Sequence, residues 1–213
     1  MKMAESSRPA LDVSHLPASA FDSRSPLWWA NLVTLLIETT TIILVLACYY
    51  YVKRNYDQWP PPKVDPMPSM INTDPDLAPG TWQTILLVGS CVPMYLTDLA
   101  ARKLRRGGVL LGLGLMTLLA ALSIWIRWKE FPATHFSWGD NAYASIVWTI
   151  LVLHLTYILA GVLEFIVMAA WLVLHPIDEK HALDVTLAGG YWYWTAGIWL
   201  PVYVTLYWFP RWV

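Results

Sequence analysis

Long apolar runs alternate with short polar stretches along this chain. Five apolar runs are long enough to cross a hydrocarbon core about 30 Å thick as an α-helix, which takes roughly 20 residues. The pattern predicts an all-α integral membrane protein: a polar N-terminal segment, residues 1–26, then a membrane domain, residues 27–213, that forms a bundle of five transmembrane helices. The predicted spans are 27–52, 82–101, 109–127, 141–174 and 185–209.

The connections between the runs indicate an orientation. Residues 53–80 hold seven prolines, a density that disfavours helix and favours extended backbone. Residues 102–106 form a basic turn that shares one face with the N-terminal segment. Because lysine and arginine concentrate on the inner side of membranes, we expect the N-terminus inside and the C-terminus outside. No cleavable signal precedes the first run, so we expect that run to remain in the mature protein.

Composition supports the membrane class. Of 213 residues, 57% are hydrophobic and only 14% are charged, against about 25% charged in ordinary soluble domains. The net charge of -1 excludes a nucleic-acid partner. Fourteen Trp and eleven Tyr fit the many membrane–water interfaces of a multi-span protein. Cys48 and Cys91 lie in apolar runs and are expected to pack as free thiols.

Three acidic or basic side chains lie well inside the predicted spans, away from the span ends. Glu38 lies near mid-membrane, about 12 residues into the first helix at about 1.5 Å per residue. It is either a functional carboxylate or a hydrogen-bonded contact between helices. His154 and Glu164 share the fourth helix, and their spacing puts them about 80° apart around the axis, so they do not form a metal-binding pair. His154 is expected to be packed and hydrogen-bonded.

Other candidates lie near helix ends. Asp98 and Arg102 are spaced for an ion pair on one helix. Glu130, which follows a predicted span, fits a solvated position at the interface. We find no nucleophile motif and no phosphate-binding glycine loop, so the sequence predicts neither catalytic residues nor a metal site.

In the order of its motifs, the chain resembles subunit III of haem–copper cytochrome c oxidases. The motifs are Glu38 in the first span, Tyr49-Tyr50-Tyr51 before Trp59-Pro60-Pro61, Glu130 before Phe131, His154 followed by Gly161, and Tyr191-Trp192-Tyr193-Trp194 with Trp199-Leu200. The chain departs from the family pattern at Tyr157 and Tyr193, where the family has His, and at Ala196, where it has Asp. Five spans correspond to the short bacterial-type form, without the first two of seven helices.

The resemblance implies a non-catalytic subunit of a respiratory oxidase. Haem and copper would be held by partner subunits, above all the catalytic subunit I, and this chain would bind phospholipid and support proton uptake. Glu38 would be the family's membrane carboxylate, and the membrane would be the bacterial plasma membrane.

Two alternatives remain open at the level of sequence. The first is a haem-binding membrane anchor of another redox complex that uses His154 as a ligand. The second is a small proton-coupled transporter that relays protons through Glu38 and Glu164.

Overall fold

A computed structural model describes residues 26–61 and 74–212 of the chain. Within these residues there are five long α-helices and no strand, so the all-α class with five helices is confirmed. The helices are α1 Pro26–Lys53, α2 Leu77–Arg102, α3 Arg106–Glu130, α4 Ala142–Leu174 and α5 Glu179–Tyr203. A 3-10 turn, Pro132–Thr134, follows α3. After α5 the chain continues through a π-helical turn, Val204–Trp208, into a last helical turn, α6 Phe209–Trp212.

Local chemistry at the helix starts makes two helices begin earlier than hydropathy predicts. Helix α2 begins at Leu77 rather than at 82, because Pro79 falls in the first turn, where its missing N–H is not needed. Helix α5 begins at Glu179 rather than at 185, after Asp178, whose side chain accepts a hydrogen bond from the His181 backbone N–H at 2.8 Å. This bond and one from the His181 side chain lower the pKa of the Asp178 carboxyl.

Four helices, α1 to α4, are long and apolar enough to cross a membrane. Helix α5 is not among these four, because it is rich in Trp and Tyr and begins with charged residues, although the pattern of apolar runs predicts a span at 185–209. It nevertheless lies inside the bundle, where it packs against α2, α4 and α1. Its aromatic residues are therefore largely buried among helices rather than exposed to lipid, which explains why its composition differs from the others.

The packing order places α1 at the edge of the bundle. Helix α2 packs against α3 and α5, α3 also packs against α4, and α1 packs only against α4 and α5 among the closely packed pairs. Most of α1 is exposed, including Leu36, Ile37 and Leu44. Both cysteines are free thiols, as expected.

Indole nitrogens of α5 fasten this central helix to its neighbours. Trp192 donates to the Ser90 hydroxyl and Trp199 to the Thr84 hydroxyl, both on α2 and both at 2.8 Å. Trp194 donates to Thr39 of α1, also at 2.8 Å. A buried indole N–H needs a partner, so these bonds fix how α5 is rotated about its axis. The aromatic motif of the sequence is thus a helix-packing device.

The proline-rich connection begins as packed structure. Trp59 is buried and donates from Nε1 to the Tyr49 hydroxyl at 3.1 Å. Its ring also lies edge-on to Tyr143 of α4, with centroids 4.8 Å apart. These contacts tie the segment after α1 to α4 at the same end of the bundle.

The π-helical turn places Tyr207 against α2, at a point where α2 has a glycine. A π-helical turn contains about one residue more than an α-helical turn, so the side chains in and after it are rotated about the helix axis. Here the Tyr207 ring covers Gly80. A Cβ built on Gly80 would lie 2.7 Å from both Cε2 and Cζ of that ring. Such a distance is too short for a side-chain contact, so glycine at position 80 is what allows the ring to lie there.

We therefore expect the substitution Gly80→Ala to destabilise the bundle by about 1–3 kcal/mol, the usual range for overpacking. The measurement is the free energy of unfolding of the purified protein in detergent.

The matched control is Gly89→Ala on the same helix. A Cβ at Gly89 meets no atom within 4 Å, and alanine favours a helix interior by up to about 1 kcal/mol relative to glycine. Equal stability of the two variants would contradict the close approach of Tyr207 to α2.

Candidate functional site

The most deeply buried charges lie near the end of α3. The side chains of Arg127 and Glu130 are 0% and 1% exposed, and Arg127 Nη1 lies 2.5 Å from Glu130 Oε2. The two residues are three apart on one helix, a spacing at which side chains meet. Because charges are costly to bury unless they are paired, this ion pair is a defining feature of the bundle.

His154 of α4 extends the ion pair to a second helix. Arg127 Nη2 lies 2.9 Å from His154 Nδ1, and His154 Nε2 lies 3.1 Å from the Thr195 carbonyl oxygen of α5. A guanidinium can only donate, so Nδ1 accepts and Nε2 carries the proton and donates. His154 is therefore neutral, and both ring nitrogens are engaged.

Tyr207 and Trp199 complete the cluster. The Tyr207 hydroxyl donates to Glu130 Oε1, and the Arg127 guanidinium lies over the Trp199 ring, 4.2 Å from its centroid. Arg127 Nε has no hydrogen-bond partner among the described residues. We call Arg127, Glu130, His154, Thr195 and Tyr207 the polar cluster; it joins α3, α4, α5 and the π-helical turn.

The structure corrects the sequence-based placement of Glu130. It is buried in the polar cluster and is not a solvated residue at the interface, because α3 continues to Glu130 rather than ending at 127. Arg127 and Tyr207 were not singled out from the sequence. The spacing of Arg127 and Glu130 was a usable signal for the pair, whereas nothing in the sequence indicates that Tyr207 reaches Glu130.

Glu38 forms a second, smaller site between α1, α4 and α5. The Tyr191 hydroxyl donates to Glu38 Oε1 at 3.5 Å, and the Tyr157 hydroxyl donates to the Glu38 backbone oxygen at 3.3 Å. Glu38 Oε2 is buried and has no partner among the described residues. The carboxylate is thus turned toward the bundle, with one oxygen bonded weakly and the other not at all.

Tyr157 brings the two sites close together. It lies three residues after His154 on α4, and the two ring centroids are 6.5 Å apart. Glu38, Tyr157 and the polar cluster therefore form a discontinuous line of polar groups across four helices. No hydrogen bond between Tyr157 and His154 closes the gap.

Two further candidate positions lie outside this line. Glu164 is half-buried on α4, and the carboxylate that interacts with it electrostatically is Asp184 of α5. Asp98 and Arg102 form the expected ion pair at 2.9 Å, and the other Asp98 oxygen accepts from Thr186 at 2.5 Å. The structure therefore does not bring Glu164 together with Glu38, Glu130 or His154 by any direct contact.

The fold and these sites define an integral membrane helical bundle whose buried charges join helices. The chain belongs to the cytochrome c oxidase subunit III family, because the family model matches residues 51–211, well over half of its length. The match contains Glu130, His154 and Glu164. Glu38 precedes it, so the match carries no information on Glu38.

Curated relatives agree with the family at low identity. Cytochrome c oxidase subunit 3 of Allomyces macrogynus is 26% identical over 151 residues, which cover 70% of this chain and 52% of the relative. The protein of the same name from Chondrus crispus is 24% identical over 150 residues, with coverage of 70% and 53%. That from Cyanidium caldarium is 25% identical over 127 residues, with coverage of 58% and 46%. The chain spans about half the length of these relatives.

Replacing Arg127 by methionine tests the energetic role of the polar cluster. The change leaves Glu130 buried without its counter-charge, and we expect a loss of about 3–5 kcal/mol in the free energy of unfolding. Adding Glu130→Gln removes the orphaned charge and should restore part of the loss. Unfolding in detergent of wild type, both single variants and the double variant measures the coupling.

The control is the same substitution at Arg102, whose side chain is 49% exposed in its pair with Asp98. A pair at such a position contributes at most about 1 kcal/mol. If Arg127→Met and Arg102→Met cost the same, the ion pair with Glu130 does not have the role described.

Proposed function

We propose that this chain is the non-catalytic subunit III of a respiratory haem–copper oxidase. It packs against the catalytic subunit I, which with other partner subunits holds the haem and copper, and it stabilises that subunit during oxygen reduction. Family membership supports the assignment, and so does the polar cluster, whose hydrogen bonds join helices. The oxidase partners are likewise proposed, because this chain spans only about half the length of its relatives.

The observation that carries the non-catalytic role is the bonding of His154. A haem ligand needs a nitrogen lone pair directed at the iron. Nδ1 of His154 accepts from Arg127 and Nε2 faces the Thr195 carbonyl. Ligation would have to break one of these bonds inside a buried cluster and would leave Arg127 or Thr195 unpaired. The arrangement therefore favours a scaffold over a haem-binding anchor.

Glu38 is the residue through which this chain supports proton uptake. A carboxylate within a membrane is a functional candidate by default, and Glu38 Oε2 is buried without a partner among the described residues. Most of the surface of α1 is uncovered by the other described residues. That surface would face subunit I or lipid, so Glu38 would lie close to the boundary between subunits.

The protein is integral to a membrane, as its apolar helices and its family show. We also propose that this membrane is the bacterial plasma membrane, which the resemblance to the short five-helix form implies. The relatives described above come from eukaryotes and do not themselves support it. The orientation with the start of α1 inside stays a prediction from the charge pattern. In that orientation the basic turn between α2 and α3 lies on the side from which protons enter, and phospholipid fills the surfaces of the bundle that partner subunits leave uncovered.

The substitution Glu38→Gln tests the proposal in the assembled complex. The amide keeps the shape of the side chain but cannot bind and release a proton. We expect oxygen consumption to fall and activity to decay faster during turnover, while the chain still co-purifies with a haem-bearing subunit. The measurement is oxygen uptake over time, together with the composition of the purified complex.

Two variants serve as controls. Glu38→Asp keeps a carboxylate and should retain part of the activity. Thr41→Val removes a hydroxyl on α1 whose one hydrogen bond within the described part of the chain is to the Ile37 carbonyl, at 2.9 Å, and should behave as wild type. Unchanged oxygen uptake in Glu38→Gln would remove Glu38 from the mechanism. Proton transport by this chain alone in liposomes, or a haem spectrum of the isolated chain, would contradict the subunit assignment.

A further inference from the structure

A groove of about 680 Å³ lies on the outer surface between the end of α3 and the first half of α4, and none of its lining residues belongs to the polar cluster or to the Glu38 site. It is open along the bundle surface. Its walls are mainly aromatic and aliphatic, with a few polar side chains. The lining residues are Trp128, Lys129, Phe131, Pro132, His135, Phe136, Ser137, Trp148, Val152 and Leu155.

The polar lining residues of this groove are confined to one of its ends. Lys129, His135 and Ser137 lie at the end of α3 and in the following turn, which is the end of the bundle. Trp148, Val152 and Leu155 are spaced by four and three residues and so share one face of α4. Leu155 lies 13 residues after Ala142, which at about 1.5 Å per residue puts it about 20 Å from the start of α4. The groove thus runs from the interface to the middle of the bilayer.

The positive charge at the mouth of the groove comes from Lys129. His135 Nε2 lies 3.1 Å from Asp76 Oδ1, so the charge of a protonated His135 would be compensated. The Lys129 side chain is exposed, and its Nζ lies 5.8 Å from the centroid of the Trp125 ring. No carboxylate pairs with Lys129 among the described residues, which leaves its ammonium group available to an anion at the level of the headgroups.

The inner wall of the groove offers no hydrogen bonds. Trp148 Nε1 already donates to the Phe136 carbonyl oxygen at 3.2 Å, and the neighbouring side chains of Val152 and Leu155 are aliphatic. A polypeptide backbone would need partners there unless it were helical. An acyl chain needs none.

We propose that this groove binds one phospholipid, with its phosphate at Lys129 and an acyl chain along Trp148, Val152 and Leu155. The polar mouth, the apolar interior and a length of about one leaflet match that molecule. The inference deepens the lipid binding of the proposed function and rests on it only for the membrane location of the chain. It is independent of the role of Glu38.

The test uses a phosphatidylglycerol, an anionic phospholipid, that carries a photoactivatable diazirine midway along one acyl chain, incorporated into vesicles with the intact protein or its complex. After illumination, peptide mass spectrometry locates the labelled residues. We expect labelling concentrated on the peptide that contains Val152 and Leu155. The variant Val152→Trp fills the groove and should lower this labelling by about tenfold, since a shape-matched apolar contact is worth on the order of 1–2 kcal/mol.

The matched control is Val173→Trp, the same substitution at an exposed position at the other end of α4. It should leave labelling of the groove unchanged. Equal labelling in wild type and Val152→Trp would show only bulk lipid and overturn the proposal. Protection of the groove by a polypeptide that crosslinks to Trp148 or Val152 in the complex would also overturn it.

Lys129 provides a second, chemically separate test. Lys129→Gln should lower labelling about fivefold, because one basic group near the membrane surface attracts anionic headgroup atoms by about that factor, and Lys129→Arg should restore it. No effect of Lys129→Gln would remove the phosphate contact and contradict the proposed orientation. Val152 and Lys129 belong neither to the polar cluster nor to the Glu38 site, so a negative result here leaves co-purification with a haem-bearing subunit as a separate test of the oxidase role.

Discussion

The arrangement of this bundle depends on one buried guanidinium, which needs a counter-charge and hydrogen-bond acceptors. Arg127 is fully buried, and an arginine cannot lose its charge to relieve the cost. Its counter-charge comes from Glu130 on the same helix, its Nη2 donates to His154 of α4, and its planar face lies over the ring of Trp199 of α5. Three helices must therefore meet at one depth and at one rotation. Where lipid removes most of the hydrophobic driving force between helices, such polar contacts and close packing select the arrangement.

Helix α5 is the element through which this constraint spreads to the rest of the molecule. The Thr195 carbonyl oxygen of α5 accepts a hydrogen bond from His154. The indole nitrogens of Trp192 and Trp194 donate to α2 and α1, respectively. The π-helical turn then brings Tyr207 back to Glu130, across Gly80 of α2. Helix α1 is attached both around Glu38 and at its end, where Tyr49 is buried, and most of its surface is left uncovered by the other described residues. A scaffold of this kind, rigid in the centre and with one peripheral helix, suits a subunit whose task is to support a neighbour in the membrane.

Hydropathy predicted the number of helices because each long apolar run has one low-energy form in lipid, the α-helix. It did not predict the start of α2 or α5, since Pro79 and Asp178 act through local backbone geometry. Glu38 was recognisable from its depth in the first run. Arg127 was not, because a cation at a predicted span end resembles an ordinary interfacial charge, and only the meeting of α3, α4 and α5 buries it. The contact between Tyr207 and Glu130 depends on a π-helical turn, which has no sequence signature comparable to a cap or a heptad.

The protonation pattern of His154 tests the central claim most directly, because it reports on Arg127 and α5 at once. Selective 15N labelling of histidine, with the His154 signals assigned by its replacement, gives the state of both ring nitrogens in the purified protein near neutral pH. We predict a neutral imidazole with the proton on Nε2 and an accepting Nδ1. A proton on Nδ1, or a doubly protonated ring, is incompatible with a donating Arg127 at that nitrogen and would contradict the polar cluster as described.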